Sequence, residues 1–159
     1  MGTLSKEEMG SAFDSLFAGL VMDEEKYPLE RGDYLVRTLV GVQPSTGAIV
    51  IAEEPRVGQT IQFHTMDRKS AHEELRRMLR DLTVRTAGRK LAMGFYFNCL
   101  GRGEGLYGQT NHDIEMINHS FPATPVVGFF GNAEFAPVRG GNLVHNYTGV
   151  LTLIAEKME

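Results

Sequence analysis

The sequence predicts a mixed α/β (α+β) domain: a largely antiparallel sheet with one parallel β-α-β crossover and helices packed on it. Three observations predict it. Strand-like runs punctuated by turn residues fill residues 34–65. A helical stripe of apolar residues then follows, at Ala71, Leu75, Met78, Leu79 and Leu82. Beyond it, the apolar runs Leu91–Asn98 and Pro125–Phe130 flank a helix-like segment, the pattern of a parallel crossover.

Taken in order, Phe13, Leu16, Phe17, Leu20 and Val21 recur at helical spacing and predict a helix over 7–22. The charged, Pro-containing stretch Asp23–Pro28 ends it. Residues 1–30 thus read as an N-terminal helix and linker, and 31–159 as the main domain. Tyr34–Val42 and Ala48–Ala52 form a hairpin about the turn Pro44–Gly47, where Pro presets φ and Gly tolerates positive φ. After a turn at Val57-Gly58, Thr60–Thr65 makes a third strand with Ile61 and Phe63 on one face. Ser70 and Glu73 have capping-box spacing at the head of the next helix. Arg76, Arg77 and Arg80 lie largely off its apolar stripe and read as a solvated face.

Leu91–Asn98 has few polar residues and reads as a central strand buried on both faces. It enters the glycine-rich loop Leu100–Gly108. A helix over 111–120 follows, with Ile114, Ile117 and Phe121 inward, then the strand Pro125–Phe130. Gly131–Gly141 reads as loop, and Leu143–Ile154 as one long closing strand.

Composition bounds the function. The 159 residues suffice for one domain with a core. The formal charge of −4 argues against a nucleic-acid partner, since phosphate tracking needs a cationic excess. Neither a basic-apolar leader nor a long apolar run is present, so the expectation is a cytoplasmic protein without a membrane span. Cys99 is the single cysteine, which excludes an internal disulfide and a multi-cysteine metal site. His112 and His119 stand seven apart, about 10 Å along a helix, too far to share a metal directly. No metal and no cofactor is expected.

Gly103-Glu104-Gly105-Leu106-Tyr107-Gly108 matches GxGxxG after a strand and before a helix. The third glycine falls outside the expected helix, and the next acid beyond the following strand, Glu134, is too distant for a dinucleotide fingerprint. Gly101-Arg102-Gly103 nevertheless follows a central strand, where open α/β sheets hold ligands. Arg102 and the dipole of helix 111–120 favour a carboxylate, while Glu134 favours an ammonium. The alternative is structural, with Arg102 and Glu134 pairing together or with nearby backbone. A nucleophile reading would join Cys99 to His145 as base, with Asn132 or Glu134 orienting it. A free cysteine at a strand end is also an ordinary small buried hydrophobe.

The runs Phe97-Asn98-Cys99-Leu100-Gly101-Arg102-Gly103, Pro125-Val126-Val127-Gly128-Phe129-Phe130-Gly131-Asn132-Ala133-Glu134 and His145-Asn146-Tyr147-Thr148 resemble the C-terminal domain of FIST proteins. So do Tyr34-Leu35-Val36-Arg37, Gly41-Val42-Gln43-Pro44 and Val57-Gly58-Gln59-Thr60, in the family's order. The resemblance spans roughly Arg31 to Ile154. It implies a sensory or interaction domain rather than an enzyme. In bacteria such domains accompany signalling modules and are thought to bind small ligands such as amino acids. In eukaryotes a similar domain serves substrate recognition in an F-box protein of a ubiquitin ligase. Two departures stand out: an N-terminal FIST domain and an F-box are both missing, and Ala133 replaces the glycine usual before the motif glutamate. The expected ligand site comprises Cys99, Arg102, Gly103, Asn132, Glu134 and His145. The partner would be a small amino-acid-like ligand, a protein, or the missing N-terminal FIST domain. The enzymatic alternative is a cysteine-dependent hydrolase or transferase using Cys99 and His145.

Overall fold

A computed structural model describes residues 15–138 and 140–157. The chain divides into two compact units, Met1–Met66 and Asp67–Glu159. It is a mixed α+β fold, with antiparallel sheets and one mixed sheet holding a single parallel pair.

The first unit contains a four-stranded antiparallel sheet in the order β3-β2-β1-β4: β1 (Leu16–Val21), β2 (Tyr34–Gln43), β3 (Ala48–Ile51) and β4 (Ile61–Thr65). β1 corrects the helix expected over 7–22; residues 7–14, including Phe13, lie outside the described residues. Leu16–Val21 pairs with β2 on one side and β4 on the other, with Phe17 opposite both Thr38 and His64. Phe17, Ala18, Leu20 and Val21 are all buried. A strand buried on both faces loses its polar alternation, and a short apolar run then reads equally well as helix. Gly19 supplies the missing distinction. The His64 ring packs over it, where a Cβ would collide. The β2–β3 hairpin turns as expected, with Gly47 at φ 71.

The second unit opens with α1 (Arg68–Arg85). Its N-cap is Asp67, whose carboxylate accepts the Ser70 N–H at 2.7 Å, so the expected Ser70/Glu73 capping box is displaced by one turn. Glu73 instead accepts from Arg76. β5 (Leu91–Cys99) runs into a 3-10 turn (Leu100–Arg102), the single-turn α2 (Glu104–Tyr107) and α3 (His112–Ser120). β6 (Val126–Gly131) lies parallel to β5, and β9 (Gly149–Ala155) antiparallel on its other side. Leu75 and Leu79 of α1 join Ile117 of α3, Phe121 and Tyr96 of β5 in one core, so both helices cover the same face of this sheet.

Two stretches differ from expectation. Gly131–Gly141 contains β7 (Glu134–Val138) rather than loop, and the long closing strand is divided. β8 (Gly141–His145) pairs with β7 as a separate hairpin, and β9 begins only at Gly149. Tyr147, at φ 57, marks the break. No helix among the described residues is long and apolar enough to cross a membrane.

Candidate functional site

β5 is apolar except at Tyr96 and Asn98, which stand two apart and so share the helix-covered face. The helix α3 brings Asp113 over them. Asp113 Oδ2 accepts from Tyr96 O–H at 2.7 Å, from Arg102 Nε at 3.1 Å and from Asn98 Nδ2 at 3.3 Å. The other Arg102 arm donates from Nη2 to the Tyr107 hydroxyl at 2.6 Å. Arg102 and Asp113 are 8% and 4% exposed, so this ion pair is a buried one that ties the glycine loop to α3.

The network continues outward. His112 Nδ1 lies 2.8 Å from Asp113 Oδ1, and His112 Nε2 lies 3.0 Å from His72 Nδ1 on α1. His112 Nδ1 faces the carboxylate, which can only accept, and one proton between His112 Nε2 and His72 Nδ1 completes the hydrogen bond between the rings. Tyr107 stacks on His112 with centroids 3.6 Å apart. One chain of hydrogen bonds thus links α1, α3 and the glycine loop.

Burial alone would raise the Asp113 pKa, but the Arg102 charge and the bonds from Tyr96, His112 and Arg102 outweigh it and hold the carboxyl below its ordinary value. Burial likewise opposes the Arg102 charge, and Asp113 overcomes it, raising the guanidinium pKa. Both are ionised. Burial, reinforced by the Asp113 charge, pushes the Tyr96 hydroxyl up, so it stays a donor. Burial also raises Tyr107, with Arg102 opposing in part.

Above this network opens a crevice of about 580 Å³. It runs along β6 from Val126 to Phe130 and reaches the end of β5 and the glycine loop, where Asn98, Arg102, Gly103, Glu104 and Asn111 also line it. Asn111 heads α3 at φ 62, and its side chain makes no capping bond, so the first N–H groups of the helix get no acceptor from it. The GxGxxG match has a local explanation. Gly103 is the N-cap of α2, and Gly108 closes it in the left-handed region at φ 69.

The structure divides the six residues that the sequence grouped. Arg102 and Gly103 line the crevice. Cys99, Asn132, Glu134 and His145 gather elsewhere. Cys99 follows Asn98 along β5, so its side chain takes the opposite face, and its thiol points to the Asn132 carbonyl at 3.9 Å. Glu134 faces His145 across the β7–β8 pair. Its Oε2 accepts from Thr148 at 2.8 Å, and its buried Oε1 has no hydrogen-bond partner among the described residues. His145 donates from Nε2 to the Ala136 carbonyl at 3.4 Å. Arg102 therefore does not pair with Glu134; Asp113, in the first turn of α3 and beside the loop, takes that place.

Sequence reasoning missed Tyr96, Asn98, Asp113, His112 and His72. A signal existed for the first two: the polar positions in an apolar strand are two apart and face the same way. Nothing in the spacing joins His72 to His112, forty residues later.

The sequence profile of the FIST C domain family matches residues 3–137. An uncharacterized protein of Mycobacterium bovis is 35% identical over 156 residues, 98% of this chain and 40% of its own length. An uncharacterized protein of Mycobacterium tuberculosis is 34% identical over 153 residues, covering 96% of this chain and 40% of that protein. F-box only protein 22 of Homo sapiens is 32% identical over an alignment of 78 positions, covering 39% of this chain and 19% of that protein. The chain thus spans about 40% of the length of the mycobacterial relatives.

Proposed function

We propose that this chain, which belongs to the FIST C domain family, is a non-catalytic sensory domain of a signalling protein that takes a small ligand in the crevice above Arg102 and Asp113. The observation that carries this reading is the crevice's position. It extends along β6 to the carboxyl ends of the parallel strands, where α/β sheets hold ligands, and reaches the head of a helix without a side-chain cap. Arg102 is already neutralised by Asp113, so it shapes the floor instead of offering a free cation. A ligand carboxylate would meet the N–H groups at the head of α3, and the rim carboxylate Glu104 would take an ammonium, the role the sequence suggested for Glu134. An amino acid carries both groups.

The test is a thermal-shift screen of amino acids and other small carboxylates. A binder should raise the melting temperature of the wild type. Thr110→Asp, which puts a like charge on the crevice rim, should weaken that binder roughly tenfold or more while leaving the unliganded protein unchanged. If no such compound stabilises the wild type, the crevice is not a ligand site.

A second reading draws on the partial likeness to F-box only protein 22. Under it the domain recognises a protein substrate for a ubiquitin-ligase assembly. It predicts a protein partner whose binding is indifferent to Thr110→Asp.

A further inference from the structure

α1 and α3 do more than cover the sheet. A groove of about 1040 Å³ runs between their outer sides. Along α1 it extends from Arg68 to Val84, about 24 Å at 1.5 Å per residue. Its start is where His72 meets His112.

The groove is apolar in its floor and cationic along its edge. Leu79 and Met116 line it, and so does Val84, which is 76% exposed. An exposed valine beside a half-buried methionine leaves apolar surface in water. Arg68, Lys69, Arg76 and Arg80 all border the same groove, and Glu115 is the one acid among the described residues that line it. Arg76 is engaged by Glu73 in a surface pair at 2.6 Å, which softens its charge without removing the bias. The bias is local, since the whole protein carries a net −4. Arg77 pairs with Glu74 and does not border the groove.

We propose that this groove docks an acidic amphipathic helical segment of a partner protein. Its apolar stripe would cover Val84 and Met116, and its carboxylates would face the Arg68–Arg80 edge. Charge complementarity selects the partner; apolar burial holds it. The proposal is independent of the crevice ligand, and its test uses ligand-free protein.

The probe is a fluorescein-labelled synthetic helix of about 16 residues, enough to match the groove at 1.5 Å per residue, with leucine at helical spacing and glutamate elsewhere. Fluorescence anisotropy should show saturable binding to the protein. The affinity should fall roughly tenfold or more when salt rises from about 0.05 M to about 0.3 M. The double variant Lys69→Glu/Arg80→Glu should lose a similar factor, and Val84→Asp should weaken binding from the apolar side. Arg77→Glu, on the same helix but outside the groove, should stay within about twofold of wild type. These four positions are exposed, so the variants should melt with the wild type. The proposal is overturned if the peptide does not bind, if a glutamine version binds equally, or if both groove variants retain affinity. It is overturned as well if a duplex oligonucleotide displaces the peptide at lower concentration than the peptide itself requires.

Discussion

Arg102 Nε stands 3.1 Å from Asp113 Oδ2 with both side chains buried, so a loop after β5 and the first turn of α3 are joined by charge as well as by chain. Removing one partner would strand the other's charge in the interior, which costs more than the pair itself contributes. Arg102→Ala and Asp113→Ala should each lower stability by roughly 3–5 kcal/mol in denaturant melts. The double substitution Arg102→Ala/Asp113→Ala should cost less than the sum of the two, with an interaction energy of about 0.5–3 kcal/mol. Strict additivity would mean that the two charges are not coupled.

Acid should expose the same pair. Asp113 has its pKa held below the ordinary 3.8. A depressed carboxyl stabilises the fold fully above its unfolded pKa, and that contribution is lost as pH falls through the folded value. The stability difference between wild type and Asp113→Asn should therefore be constant above about pH 5 and shrink below about pH 4. A difference that instead grows toward low pH would reverse the assigned direction.

Leu79 is 3% exposed among Leu75, Tyr96, Ile117 and Phe121. Leu79→Ala should cost roughly 2–5 kcal/mol in urea melts. A loss within about 0.5 kcal/mol is a surface value and would falsify the packing of α1 on the sheet.

The motif glycines should behave unequally. Gly128 of β6 lies opposite Tyr96 of β5, and a methyl there would fall on the Tyr96 carbonyl oxygen. Backbone cannot yield as a side-chain tip can, so Gly128→Ala should destabilise by about 1–3 kcal/mol or more. Gly105, inside α2, has open space around its missing Cβ. Gly105→Ala should be neutral or stabilising, by up to about 1 kcal/mol. Equal effects at the two positions, read as melting temperatures, would show that close strand approach is not what Gly128 serves.

Much of the fold was legible because its elements carry local signals. The stripe Ala71–Leu82 contains three residues that the structure buries, Ala71, Leu75 and Leu79. The Pro44–Gly47 turn needs positive φ at its glycine, and β5 and β6 are the parallel pair expected from two apolar runs flanking a helix. Where locality failed, so did the reading. Leu16–Val21 has neighbours on both sides, and its apolar run hides whether they are strands or helices. Along the sequence the β7–β8 hairpin reads as loop and strand, because Pro137 and the glycines on either side of it resemble punctuation.

The sequence by itself determined the class of fold, the family, the position of the glycine loop after a central strand, and Arg102 as its cation. Hydrophobic period, turn chemistry and ordered motifs all act over a few residues and can be read along the chain. Only the tertiary structure decided what Arg102 touches. Asp113 lies eleven residues on, His112 beside it reaches His72 of another helix, and Cys99 turns to the face opposite Asn98. Those partnerships depend on how strand, loop and helices meet in space, where a buried charge takes whichever counter-charge the packing brings within reach.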